Sequence, residues 1–401
     1  MNNTRTIFFV AAILAPIILQ LGCSNKPSKP IEDPSVNAGA PTAIQANMQT
    51  MKQTMEDLLP LIVDRQAFEA PQNSPRIKAD LKQLNEISRN VDHAEFKAKM
   101  DPSFGFLSEG FREEIQRSEE SFNEGRLEFA RYSMINLTSY CVECHTRTAS
   151  GPAFQTPNLA QALTRLKPLD RGEYLLAIRQ FDAAMKEFMQ VLENGHNEKF
   201  NFYDYDRALR YSLSITVKYL RDPIKTEAVI LQVLKSEHLP FFIRQASSQW
   251  LASVQLWKKE KPTQNLRIND RIAMAERLVQ RGRQAQQGQT DRSGDIDLLR
   301  GLSELHQILW VDLSKPQLGR VLLLTGQAYE SVREMNLISL HENYFETCVR
   351  RVPHSSWSMS CYKSLEESLF MGYTGSSGTH MPKDVQTRLA ELEKLARPLK
   401  K

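Results

Sequence analysis

The sequence predicts an all-α protein, a group of four helices followed by a longer helical array, and three observations carry that prediction. Glycine is scarce, 17 of 401 residues, and Leu, Glu, Lys, Arg, Ala and Gln dominate, a composition that favours helix and argues against a β-sandwich. Apolar residues recur in steps of three and four, the spacing of one helix face. Prolines and short polar runs interrupt these stripes at helix-length intervals. With 41% hydrophobic and 24% charged residues the chain can build a core, and a formal charge of +4 excludes a chain-wide footprint for nucleic acid.

Residues 1–22 read as a signal peptide. Arg5 precedes an apolar run from Ile7 to Leu19. The run is shorter than the ~20 residues that span a bilayer and contains Pro16. It ends on Leu21-Gly22-Cys23, which resembles the bacterial lipobox. That resemblance implies cleavage before Cys23, lipidation of Cys23 and a membrane anchor. Ser24 resembles the sorting residue of lipoproteins held at an outer membrane, facing the periplasm. A plain secreted chain is the alternative. Residues 23–41 hold the lipidated cysteine and a tether with Pro27, Pro30, Pro34 and Pro41. Extended at about 3.1 Å per residue, it would reach roughly 55 Å.

Residues 42–155 carry four stripes. Ile44, Met48, Met51, Met55, Leu58 and Ile62 trace the first helix. Ser74-Pro75 opens the second, with Ile77, Leu81, Leu84, Ile87 and Val91. Phe104, Leu107, Phe111, Ile115 and Phe122 form the third. Asn123-Glu124-Gly125 breaks the chain before Leu127, Ala130, Met134, Leu137, Cys141 and His145. Four helices with short connections imply an up-down-up-down bundle.

The cysteines are Cys23, Cys141, Cys144, Cys348 and Cys361. Setting Cys23 aside as lipidated leaves two pairs. Cys141-Val142-Glu143-Cys144-His145 is a C-x-x-C-H motif. Its spacing lets two thiols meet the two vinyl groups of one haem while the adjacent histidine supplies an axial nitrogen to the iron. A redox disulfide is the rival; with no second C-x-x-C, a four-ligand zinc ribbon is disfavoured. The motif closes the fourth helix, so positions 141, 144 and 145 share a face with the apolar stripe. Cys348 and Cys361 lie 13 residues apart around Pro353, in a helix–turn–helix pattern. In an oxidising compartment they read as a structural disulfide, with buried thiols as the alternative.

Three stretches resemble class II c-type cytochromes, the four-helix cytochrome c-prime family: Asn47-Met48-Gln49-Thr50 in helix one, Phe122-Asn123-Glu124-Gly125-Arg126 before the last helix, and Cys141–His145 at its end. The resemblance covers residues 42–155 only. After His145 the family often has an aromatic–Arg pair, where this chain has Thr146-Arg147-Thr148. The resemblance implies one covalent haem c on Cys141 and Cys144, His145 as proximal iron ligand and Met48 as distal ligand. It also points to a homodimer. Met51 and Met55 share the stripe of Met48, and His93 is the other conceivable ligand in this region. A His/Met iron suits one-electron transfer, whereas an empty distal position would bind NO or CO.

Residues 156–401 show no catalytic motif. Asp222-Pro223, Leu239-Pro240, Lys261-Pro262, Lys315-Pro316, Val352-Pro353 and Met381-Pro382 divide helical stretches, and Arg281–Gly294 reads as an exposed loop. Gly172, Ala184, Phe188 and Val191 fall at offsets that resemble a tetratricopeptide repeat, as do Phe345, Cys348 and Pro353 preceded by Gly326 and Tyr329. The resemblance implies an α-solenoid that docks protein partners. Trp250, Trp257, Trp310 and Trp357 read as core, and Gly372–His380 as a loop.

Charge divides the two regions: 13 Lys and Arg against 17 Asp and Glu over 42–155, and 35 against 28 over 156–401. Such asymmetry can steer a charged redox partner. The expectation is a lipid-anchored, periplasm-facing monohaem cytochrome, an electron carrier rather than an enzyme, whose partner is a periplasmic or membrane redox protein. A gas-binding haem sensor and a lipoprotein scaffold with structural haem are the rivals.

Overall fold

Local chemistry explains where several helices begin. Asp64 accepts from Ala67 N at the start of α2 (Arg65–Glu69). Asn201 accepts from Tyr203 N and Asp204 N to open α8 (Phe202–Leu213), and Asp222 from Ile224 N and Lys225 N to open α9 (Pro223–Leu234). Ser314 with Gln317, and Ser355 with Ser358, make capping boxes for α13 (Lys315–Ser331) and α15 (Ser356–Gly372). Pro168, Pro223 and Pro316 occupy first-turn positions, where a missing N–H leaves no hydrogen bond unmade.

The structure is a computed structural model and describes residues 43–90, 101–145, 163–164, 166–196, 201–260, 266–286, 291–332 and 340–399. The signal peptide, the tether with Cys23, and His93 lie outside them. The described residues are all-α apart from a pair of two-residue strands, β1 (Thr374–Gly375) and β2 (Gly378–Thr379), antiparallel with Thr374 opposite Thr379. The described residues form one compact unit.

In the first helical group, α1 (Ala43–Val63) packs on α3 (Ser74–Asn90), α3 on α4 (Ser103–Asn123), α4 on α5 (Leu127–His145), and α5 back on α1. Their apolar stripes close around Met51, Met55, Leu58, Ile62, Ile77, Leu81, Leu84, Phe111, Ile115, Phe122, Met134 and Leu137. Gly125, at φ +79°, makes the tight turn between α4 and α5.

The second group runs from α6 (Pro168–Ala177) and α7 (Phe181–Glu193) through α8, α9, α10 (Phe241–Trp257), α11 (Ile268–Ala285), α12 (Asp295–Ile308), α13, α14 (Leu340–Arg351) and α15 to α16 (Lys383–Ala396). A π-helical turn, Ser214–Tyr219, follows α8. One packing device occurs twice: a Cβ on Gly172 would lie 2.4 Å from the Phe188 ring, and one on Gly326 would lie 2.4 Å from the Phe345 ring. Glycine there lets a neighbouring helix seat a buried phenylalanine against backbone. Cys348 on α14 and Cys361 on α15 are joined in a disulfide with α-carbons 6.2 Å apart.

Two features depart from expectation. The stretch from Arg281 does not begin as a loop: α11 continues to Ala285 and Gly282 is buried in it. Leu298 packs against Gly282, and a larger residue there would collide with it, so tertiary packing extends the helix. Trp310 is 42% exposed, unlike Trp250, which is fully buried with its indole N–H donating to Arg292 O.

Helix α12 is encased: Asp295–His306 is buried throughout. Its four charged residues each have a counterpart, Asp295 with Arg292, Asp297 with Arg281, Arg300 with Glu260 and Glu304 with Arg271, and a further pair joins His306 to Asp101. Buried ions need such partners because desolvation would otherwise exceed any gain.

The last of those pairs crosses from one helical group to the other. Asp101 Oδ1 accepts from Ser103 N (3.0 Å), Ser103 Oγ (2.7 Å) and Tyr344 OH (2.6 Å), and Oδ2 lies 2.5 Å from His306 Nδ1. His306 Nε2 is 2.8 Å from Tyr329 OH, and the Tyr329 and Tyr344 rings stack at 5.5 Å. Leu59 and Leu107, from α1 and α4, join the core of the second group at this seam.

Candidate haem-attachment site

The motif residues arise from the apolar stripe of α5. Ala130, Met134 and Leu137 are fully buried, and the next steps of the same face reach Cys141 and Cys144. Both cysteines are half-buried thiols. Cys141 packs against the cores of both helical groups, whereas Cys144 packs against that of the second. His145 is the last residue of α5. Gly110 lets α4 approach: a Cβ there would lie 2.8 Å from the Tyr140 ring. Tyr140 in turn meets Phe111 edge-on at 6.2 Å.

Burial pushes the Cys141 thiol up to about 12.

Met48 lies on α1, half-buried, and packs against the core of the first group, as Cys141 does. Met51 and Met55 are 7% exposed and committed to that core, so Met48 is the thioether left at its margin. Two further groups here carry no sequence signal. Glu56 is buried on α1, and Tyr174, buried on α6, donates its hydroxyl to Glu56 Oε1 at 2.8 Å. A carboxylate in a helix interior and a tyrosine 118 residues later read separately as ordinary surface and core. Glu143, between the cysteines, is also buried.

The site offers two thiols one helical turn apart, a histidine directly after them, a thioether on a helix packed against theirs, and Phe, Leu and Met side chains in the adjoining core. Among the described residues no three His, Cys, Asp or Glu side chains converge as a metal-ion cluster, and no helix is long and apolar enough to cross a membrane.

Searches against protein-family models, curated proteins and solved structures find no match to this chain.

Proposed function

We propose that this protein is an exported, lipid-anchored monohaem c-type cytochrome that carries single electrons. In this reading residues 42–155 are a four-helix haem bundle and residues 156–401 a tetratricopeptide-like array that docks a redox partner. The observation that carries the reading is the C-x-x-C-H motif on the last turn of α5, its thiols half-buried against a core that Met48 also contacts. The repeated glycine-on-phenylalanine packing at Gly172 and Gly326 supports the array.

Cys141 and Cys144 would hold the group by thioether bonds, His145 and Met48 would supply its axial donors, and when bound it supplies one-electron exchange at iron. The chain's own task is to exclude water, which Met51, Met55, Leu58, Phe111, Met134 and Leu137 do by burial.

Residues 24–401, exported in a strain that matures c-type cytochromes, test this. The expected result is a covalently haem-bearing protein with a low-spin ferrous spectrum that carbon monoxide does not move, and Met48→Ala then opens it to carbon monoxide. A high-spin spectrum that shifts with carbon monoxide would replace electron transfer by gas binding. A folded, helical protein without covalent haem would leave only a scaffold.

A further inference from the structure

Helix α1 carries a polar continuation of the Met48 face. Lys52 and Glu56 follow Met48 at successive steps of four, on the same side of the helix. Both are withdrawn from water, with side chains 9% and 8% exposed, and Lys52 Nζ lies 3.6 Å from Glu56 Oε1. The same oxygen accepts the Tyr174 hydroxyl at 2.8 Å. Tyr174 belongs to the second helical group, is 3% exposed, and sits in the core against which Cys141 and Cys144 pack. Helices α5 and α6 touch directly, and Cys141 lies within electrostatic reach of Tyr174. Burial, and then the Glu56 hydrogen bond, push the Tyr174 phenol well above its ordinary range, so it stays a neutral donor.

Resting on the haem reading above, we infer that Glu56 and Lys52 are opposed charges that set the reduction potential of the haem site, and that Tyr174 is the positioning residue through which the array controls Glu56. A carboxylate in a low-dielectric surrounding favours the more positively charged, ferric state, and an ammonium favours the ferrous state. The hydrogen bond from Tyr174 holds the carboxylate in place. Because that donor comes from the array, a partner that shifts α6 alters the potential. By linkage, a change in oxidation state alters the array's affinity for the partner by the same factor. The array is thereby a sensing element as well as a docking one.

The test is a potentiometric titration of the holoprotein, residues 24–401, at neutral pH, with visible spectra recorded throughout. Glu56→Gln, whose amide oxygen still accepts from Tyr174, is expected to raise the ferrous-to-ferric ratio at fixed potential about tenfold, ~59 mV for one electron. Lys52→Met is expected to lower it. Tyr174→Phe moves it in the direction of Glu56→Gln, and the two together give no more than Glu56→Gln alone. Opposite signs at positions 56 and 52 distinguish charge from packing, which has no reason to respect sign. Shifts of one sign, or none, in variants that retain the parental spectrum overturn the inference. If Glu56→Gln fails to fold, the Lys52→Met and Tyr174→Phe arms read the same two directions. In the haem-free full chain, Tyr174→Ala is expected to speed maleimide labelling of Cys141 at least tenfold and Tyr174→Phe to leave it unchanged; equal rates in all three also overturn it. A parent protein that never acquires haem overturns the functional reading itself, and the inference with it.

Discussion

Removing the Asp101 carboxylate is expected to loosen the join between the two helical groups. Its two oxygens serve Ser103 N, Ser103 Oγ, Tyr344 OH and His306 Nδ1, and it is 2% exposed. Asp101→Ala strands the His306 and Tyr344 donors in an interior where each lost bond costs about 1–3 kcal/mol, and breaking the buried pair puts the whole loss at about 3–5 kcal/mol. Asp101→Asn keeps an oxygen for Ser103 and Tyr344. Its amide can donate to His306 Nδ1 once the ring switches tautomer and Nε2–H turns to Tyr329, so the loss falls to about 1–2 kcal/mol, the worth of the charge alone. Urea denaturation of residues 24–401 followed by far-ultraviolet circular dichroism measures both. A cycle with His306→Ala should return a coupling of at least about 1 kcal/mol. An alanine variant within about 0.5 kcal/mol of the parent, or additivity in the cycle, would refute the claim that this seam is held by Asp101.

Other expectations follow from packing and burial. Gly172→Ala and Gly326→Ala each push a methyl into a buried phenylalanine and should lose about 1–3 kcal/mol in thermal melts. Gly105→Ala in α4 meets nothing within 4 Å and should gain up to about 1 kcal/mol. Burial pushes the Glu173 carboxyl from its usual 4.5 up to about 7 against the opposing pull of Arg207. The folded state then binds more protons than the unfolded one between about 4.5 and 7, so this group's contribution to stability falls as pH rises through that window. Glu173→Gln removes that slope, so its stability relative to the parent should improve by on the order of 2 kcal/mol from pH 4.5 to 8, as denaturation at the two pH values measures. Cys348→Ser with Cys361→Ser opens a loop of 13 residues and should lower stability by about 2–4 kcal/mol under oxidising conditions.

The helices were legible where one face meets one core. The stripes over Ile44–Ile62, Ile77–Ile87, Phe104–Phe122 and Leu127–Cys141 coincide with α1, α3, α4 and α5, and Asn123–Gly125 is the turn between the last two. Pro60 lies inside α1 without ending it, a limit of proline as punctuation. The placement of residues 141–145 at the end of the fourth helix was legible because it continues the same stripe. What escaped the sequence is long-range polar pairing. Asp101, His306 and Tyr344 are brought together across 205 and 243 residues, and Glu56 and Tyr174 across 118. An aspartate, arginine or glutamate in a helix reads as its solvated face, so nothing in the sequence marks α12 as buried all round. Nothing local distinguishes a charge facing water from one whose counter-charge arrives from another helix. Trp310 errs the other way: its size suggested core, yet it stands at the rim beside Phe104.

A row of helices in which each leans only on the next comes apart from its ends. Helix α12 denies this molecule that route. It contacts α10, α11, α13 and the π-helical turn, and through His306 it reaches the start of α4. Withdrawing it would abandon ionised groups in several neighbours at once, which makes partial opening of the middle as unfavourable as complete opening. The amides of α11, α12 and α13 should therefore exchange with solvent through one shared event, while α16, which packs on α14 and α15, frays independently.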